Sequence, residues 1–255
     1  MEGNTLVCKA KRKNNDDRWE WKRGLSISFR ISVPSQISSD LLTSGGSIKL
    51  KNLSGKQEFT TSGGSINVEE LKGDIKGRTS GGSIQLAHCH NQIDLTTSGG
   101  SITADDCSGD ITLKTSGGSI SLQQMQGQIE AHTSGGSIKG ERIKGDLSAK
   151  TSGGGIRLTQ MAGALKASTS AGGIDVTMTS LDKHLDLSTS AGGIRVQMPL
   201  NKGMDLDLRS TNRVDIARLE NFSGSQKKDR VQGQVNGGGI AVNMRTTAGS
   251  ISINE

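Results

Sequence analysis

Apolar and polar residues alternate in short runs along this chain. Ile84 and Leu86 alternate with Ser83, Gln85 and Ala87, and Ile93 and Leu95 with Gln92, Asp94 and Thr96. Period-two alternation marks a strand with one buried face. The pattern therefore predicts two strands, over 83–87 and 92–96. Thr79-Ser80-Gly81-Gly82 and His88–Asn91 supply turn-forming residues on either side.

This two-strand unit recurs. Thr-Ser-Gly-Gly-Ser-Ile begins at Thr43, Thr61, Thr79, Thr97, Thr115 and Thr133, with looser copies at Thr151, Thr169 and Thr189. From Thr43 to Thr169 each copy starts 18 residues after the last. A fixed short period signals stacked repeats that bury a common core only together. One ladder would run Ile48, Ile66, Ile84, Ile102, Ile120, Ile138, Ile156, Ile174, and a facing one Ile75, Ile93, Ile111, Ile129, Leu147, Leu165. The reading is all-β: a single-domain parallel β-helix, or β-solenoid, of about 18 residues and two short strands per coil. Right-handed crossovers are expected by the general rule for parallel connections.

The turn residues sharpen the picture. The fourth motif residue is Gly in every copy, while the third relaxes to Ala171 and Ala191 and the fifth to Gly155, Gly173 and Gly193. Such a fixed Gly suggests a positive φ. Asn212 in the degenerate copy Ser210–Val214 would fit as the usual left-handed substitute. Continuing the alternation Ile93, Leu95, Thr97 points the motif Thr inward, to bond a neighbouring turn backbone rather than to form a flat outer array of the kind that binds ice.

The regular coils are expected over 43–200. Residues 1–42 would form an N-terminal cap, with strands over 5–12 and 25–33 and an end at Pro34. Residues 201–255 would form enlarged C-terminal coils and a cap. Ile174→Ile194 and Ile194→Val214 are each 20 apart, and Val214→Ile240 is 26, with the polar insert Asn221–Arg230 taking up the excess. Gln57 stands where the first coil should have its second-strand Ile.

Composition agrees with a thin core. Aromatics make up 2% of 255 residues and Tyr is absent, whereas Gly numbers 36. No run of 18 apolar residues predicts a transmembrane helix. Met1–Ala10 lacks the apolar stretch of a secretory signal, which fits a fragment without its upstream leader. The net charge is +6, and residues 1–42 carry eight Lys/Arg against five Asp/Glu. Lys9, Lys11, Arg12 and Lys13, with Trp19 and Trp21 nearby, are read as a solvated polar hairpin. No nucleic-acid partner is expected.

Candidate chemistry is sparse. Asp74, Gln92, Asp110, Gln128, Asp146 and Ala164 would form one outward ladder, with Asp74 and Asp110 two rungs apart, roughly 9–10 Å. That spacing suits inverting glycosidases. Alternation with neutral residues, however, also relieves like-charge stacking, and no pair in contrasting environments is visible. His88, Cys89 and His90, with Asp106 one coil on, resemble a metal cluster only in composition, since Cys89 should point inward and the two His outward. Cys89 and Cys107 are expected on adjacent inward rungs, in one ladder with Leu53, Leu71, Met125, Ile143 and Met161, as unbonded apolar residues. A second outward ladder, Thr60, Arg78, Thr96, Lys114, His132, Lys150, is weakly basic; a third runs Lys49, Asn67, Gln85, Thr103, Ser121, Lys139, Arg157, Asp175, Arg195. No catalytic, cofactor-binding or metal-binding residues are assigned, and no cofactor is expected.

The tandem Thr-Ser-Gly-Gly-Ser-Ile coils resemble a bacterial adhesin-type β-strand-repeat family, domain of unknown function 4097. Ile31-Ser32-Val33-Pro34 before Leu42–Gly46 is similar to its entry segment. Val235–Gly239, followed by Arg245–Ile251, is similar to its closing coil. The resemblance covers nearly the whole chain. It implies an extracytoplasmic β-helix of a bacterial cell envelope, in the periplasm or on the cell surface, with no established catalytic residues. On these grounds a non-enzymatic scaffold or adhesin-like binding module is expected, with surface glycans, envelope polymers or an envelope protein as partners. A polysaccharide-acting β-helix enzyme and a self-assembling structural protein are the alternatives.

Overall fold

A computed structural model describes residues 5–10, 27–217 and 219–255. Two compact units divide between Val33 and Pro34. In the first, no strand lies among the described residues, and Leu6, Val7, Ile27, Phe29, Ile31 and Val33 are exposed. The strand expected over 25–33 is thus absent from its described part: the alternation is there, but among the described residues no strand pairs with it, and an unpaired strand leaves its backbone groups unsatisfied. The rest of both expected strands lies outside the described residues, as do Lys11–Lys13, Trp19 and Trp21.

The second unit is the solenoid. Its first sheet stacks Ile48, Ile66, Ile84, Ile102, Ile120, Ile138, Ile156, Ile174 and Ile194 in parallel register. Its second stacks Gln57, Ile75, Ile93, Ile111, Ile129, Leu147, Leu165 and Leu185. In several coils the two strands run on through the corner between them, as in Ile48–Thr61 and Ile120–Thr133. The apolar side chains of both ladders meet in a continuous buried core. A half-coil precedes the first full one, with Ser39–Thr43 pairing on Gln57–Thr61. There Gln57 is fully buried, its amide donating to Ile37 O at 2.6 Å and its carbonyl oxygen accepting from Ser39 Oγ at 2.5 Å. The polar residue inside the core is therefore satisfied, as burial requires.

The motif turn is held by Thr. Thr115 Oγ1 donates to Gly100 O at 2.7 Å in the coil before and accepts from Gly118 N–H at 3.3 Å in its own coil. The same pair of bonds recurs at Thr61, Thr79, Thr97, Thr133, Thr151, Thr169 and Thr189. These threonines are buried, as the alternation requires.

The fourth-position Gly is needed for a different reason from the one the sequence suggested. None of these residues, nor Asn212, has a positive φ. A Cβ on Gly118 would lie 2.1 Å from Gly100 O in the coil beneath. Stacked turns approach backbone to backbone, and only a missing side chain allows it. Positive φ belongs instead to the opposite corner, at Asn52, Glu70, His88, Asp106, Gln124, Arg142 and Gln160, with φ from 49° to 57°.

The C-terminal coils do not stack in chain order. Ile194 pairs with Ile251, and Ile251 with Val214. On the other sheet Leu185 pairs with Val242, and Val242 with Leu206. The coil of strands Ile240–Thr246 and Ile251–Asn254 therefore lies between His184–Gln197 and Met204–Ile216. The expected succession Ile194, Val214, Ile240 is overturned: the chain skips one rung and returns to fill it. The intervening segment makes an antiparallel hairpin, Phe222–Gln226 with Arg230–Val235, whose second strand pairs antiparallel with Met204–Ser210. Among the described residues no helix is long and apolar enough to cross a membrane.

Candidate functional site

The acidic ladder has the register read from the sequence up to Asp146. Asp74 and Asp110 face solvent with Gln92 between them. Asp146 differs, because Lys183 Nζ donates to both its oxygens, at 2.9 and 2.7 Å. That ammonium holds the Asp146 carboxyl below the usual carboxylate range. Ala164 keeps the ladder's register but is covered: on the rung between the two bridged residues, it is 1% exposed. The longer coil that follows carries Lys183 back over a whole rung, and Ala164 is small enough to lie enclosed there.

His88, Cys89 and His90 diverge. His88 Nδ1 pairs with Asp106 Oδ2 at 2.8 Å, His90 Nδ1 with Ser108 Oγ at 2.8 Å, and Cys89 is buried. Among the described residues no group of three or more His, Cys, Asp or Glu is placed to hold a metal ion. Cys89 and Cys107 are free thiols stacked inside the corner. Contact with the Cys89 sulfur, reinforced by burial, pushes the Cys107 thiol well above its ordinary range, so it is a poor nucleophile.

The basic ladder on the second sheet is in single file from Arg78 through Lys114 and His132 to Lys150. Beyond Ser168 and Ser188 it reaches Arg245 and Arg209. Its charges are partly met within the chain. Lys114 lies 3.4 Å from Glu130, and Arg209 forms a fork on Asp207.

The first sheet carries the feature that sequence reading missed. In the motif's fifth position, Ser47, Ser65, Ser83, Ser101, Ser119 and Ser137 stand outward, and then three successive rungs have Gly155, Gly173 and Gly193. Ser250 resumes the row on the inserted rung. The three glycines floor an open groove of about 560 Å³, along which Lys139, Arg157, Asp175 and Arg195 stand side by side. No dihedral angle demands glycine here, since none of the three has a positive φ, but space is tight: added Cβ atoms would lie 3.1–3.3 Å from a carbonyl of the next coil. Ser occupies the same position on the neighbouring rungs.

The groove's chemistry follows from its walls. Its backbone carbonyls already accept bonds within the sheet, Gly155 O from Ile138 N–H at 3.0 Å and Gly173 O from Ile156 N–H at 3.0 Å. The floor's carbonyls are thus engaged, while the fifth-position N–H groups lose the serine hydroxyl that accepts from them on rungs such as Ser101 and Ser119. Charged recognition falls to the rim, where Arg157 and Arg195 share Asp175 at 3.8 Å each and remain largely exposed. Two guanidiniums and an ammonium against one carboxylate leave an excess of positive charge along the groove. Such a site can hold an extended anionic chain along the solenoid axis. The relaxation from Ser to Gly at three consecutive copies was the visible signal, and it reads as turn tolerance until the sheet shows what the missing side chains uncover.

No curated protein and no solved structure matches the chain. The family model described as Toastrack DUF4097 matches residues 91–254, from the third coil to the inserted final one. The chain belongs to the Toastrack DUF4097 family.

Proposed function

We propose that this chain is a non-enzymatic binding module of a bacterial cell envelope, working on its extracytoplasmic side and holding an acidic glycan or envelope polymer along the glycine-floored groove. The observation that carries this reading is the groove itself: three successive rungs without the serine side chain that neighbouring rungs carry, beneath a cationic rim. A rigid parallel stack suits such a role, because it fixes the rim residues about 4.8 Å apart with little conformational entropy to lose on binding. The acidic ladder favours no catalytic alternative, since its one tightly engaged carboxylate, Asp146, is occupied by Lys183.

The test is a screen of the purified chain on arrayed glycans and envelope polymers, with salt titration of each hit. Retention of acidic polymers at physiological salt is expected, with neutral chains unbound. The triple variant Gly155→Ser, Gly173→Ser, Gly193→Ser should fold as the parent does and lose at least about tenfold in affinity, the scale of one well-placed charged contact. Binding that fades at modest salt and ignores the triple variant would reduce the attraction to general surface charge and sink the reading.

A further inference from the structure

The inserted C-terminal coil occupies a slot with a rung on each side. Ile194 N–H donates to Ser250 O at 2.9 Å, and Ile251 N–H to Arg213 O at 2.9 Å. Thr246 Oγ1 donates to Gly192 O, and Ser210 Oγ to Gly249 O, both at 2.6 Å. Every one of these is the bond that any coil of this solenoid makes to its neighbour. Nothing in the slot distinguishes the chain's own last coil from an identical one.

At the crossover a small polar clasp fixes the path of the chain, and its bond from Gly239 N–H to Asp205 sets the bend into the coil. The chain leaves the hairpin at Val235, passes around the start of Met204–Ser210, and enters the slot at Ile240. Asn236 Nδ2 donates to Leu200 O at 3.1 Å and to Lys202 O at 3.2 Å. Asp205 accepts from Gln234 Nε2 and from Gly239 N–H, each at 3.0 Å. The crossover is so close that a Cβ on Gly203 would lie 2.2 Å from Gly238 O. Gly237, Gly238 and Gly239 have φ of 85°, 82° and 141°. Three successive glycines in conformations that only glycine adopts freely form a hinge, and an extended hinge is as accessible to them as the bent one.

We propose that the slot is an acceptor site for the Ile240–Asn254 coil of a second copy of this chain, so that two chains exchange their last coils reciprocally about the Gly237–Gly239 hinge. The exchanged dimer keeps every ladder bond of the monomer, and also the bonds of Gln234 and Asn236, which lie before the hinge. It gives up the bond from Gly239 N–H to Asp205, which needs the bent hinge. Exchange is a low-cost route to a dimer when the swapped element is identical and the hinge can extend. Closure within one chain benefits from a high effective concentration, so exchange is favoured by high protein concentration and by anything that weakens the bond from Gly239 N–H to Asp205.

A disulfide trap reads this directly. Ser188 and Arg245 are register partners across one wall of the slot, and both are exposed. The full chain carrying Cys8→Ser, Ser188→Cys and Arg245→Cys is unfolded, refolded at low and high concentration, oxidised and run on a non-reducing gel. A bond within one chain leaves a monomer, and exchange gives a covalent dimer. The dimer fraction should rise with concentration. Adding Asp205→Ala removes the Gln234 bond from both forms but the charge-assisted Gly239 N–H bond from the closed form alone, and should raise the dimer about tenfold at fixed concentration. A control pair in the regular ladder, Thr96→Cys with Lys114→Cys, should stay within one chain throughout. Monomer alone at every concentration, with and without Asp205→Ala, overturns the proposal. So does a control pair that dimerises equally, because the exchange would then be mispairing of rungs in general.

Discussion

The regular coils and the inserted coil are built from the same bonds but are reached by the chain in different ways. From Thr61 to Thr169 each motif Thr donates to a glycine 15 residues earlier, so every new coil completes itself on the one just made. At the C-terminal end Thr246 donates across 54 residues to Gly192, and Ser210 across 39 to Gly249. Contacts of that separation must bear loop-closure entropy before they contribute anything. One region is a local polymerisation of rungs. The other is completed only when Ile240–Asn254 returns to lie between His184–Gln197 and Met204–Ile216. The energetic unit is shared, while the order of assembly is not, and the difference should appear as a difference in local stability.

The largest effect that can break this comparison lies at the fourth-position glycines. Gly118→Ala would set a Cβ 2.1 Å from Gly100 O in the middle of the stack. Backbone cannot yield as a flexible side chain can, and the cost should be about 3 kcal/mol or more, at the upper end of overpacking. A calorimetric melt should show global destabilisation. Gly117→Ala, whose Cβ would meet nothing nearer than 3.4 Å, should cost under about 1 kcal/mol. Gly249→Ala makes the same close contact, 2.0 Å from Gly192 O, but within the inserted coil. It should release that coil alone, seen as lost amide protection over 240–254 with the Ile48–Ile174 rungs still protected. Uniform loss of protection in both variants would show that the two regions open as one unit.

A smaller effect sharpens the same contrast. Thr115→Val keeps shape but leaves a buried carbonyl and a turn N–H without their hydroxyl, at a cost of about 1–3 kcal/mol by urea denaturation. Thr246 donates to Gly192 O, and no bond from Gly249 N–H returns to it. Thr246→Val should therefore cost less than Thr115→Val, and an equal or greater cost would mean the inserted coil carries more of the global stability than its bonding indicates.

The legibility of each feature follows its physics. The rung register was readable because side-chain alternation and an 18-residue period fix it, and a slip by one residue would turn Ile48 and its partners outward. Rung order at the C-terminus was not readable, since Val214, Ile240 and Ile251 fit any rung equally well. The reason for the fourth-position glycines was misassigned because sequence shows an absent side chain and not whether space or dihedral angle demands its absence. The positive φ of the opposite corner escaped notice because Glu70, Gln124 and Arg142, which adopt it, are not turn-type residues. The groove was half visible, as a run of relaxed fifth positions whose consequence depends on which residues stand beside them in the sheet.

The smallest effect tests whether that left-handed corner is held by the stack or by its side chains. His88 and Asp106 both sit at positive φ on adjacent coils, and their side chains pair at 2.8 Å across the rungs. The bond from Asp106 raises the His88 pKa above its ordinary value. A raised folded pKa means the pair contributes fully below the unfolded value of about 6.5 and loses its contribution as pH rises through the folded value. Both groups are exposed, so screening keeps the contribution slight. The measurement is an NMR titration of His88 together with the amide shifts of the corner. Asp106→Asn should return the His88 midpoint to the ordinary range, and the corner amides should keep their folded shifts on both sides of the titration. A corner that loosens as His88 deprotonates, or when Asp106 is removed, would show that side-chain pairing rather than rung stacking maintains the left-handed backbone.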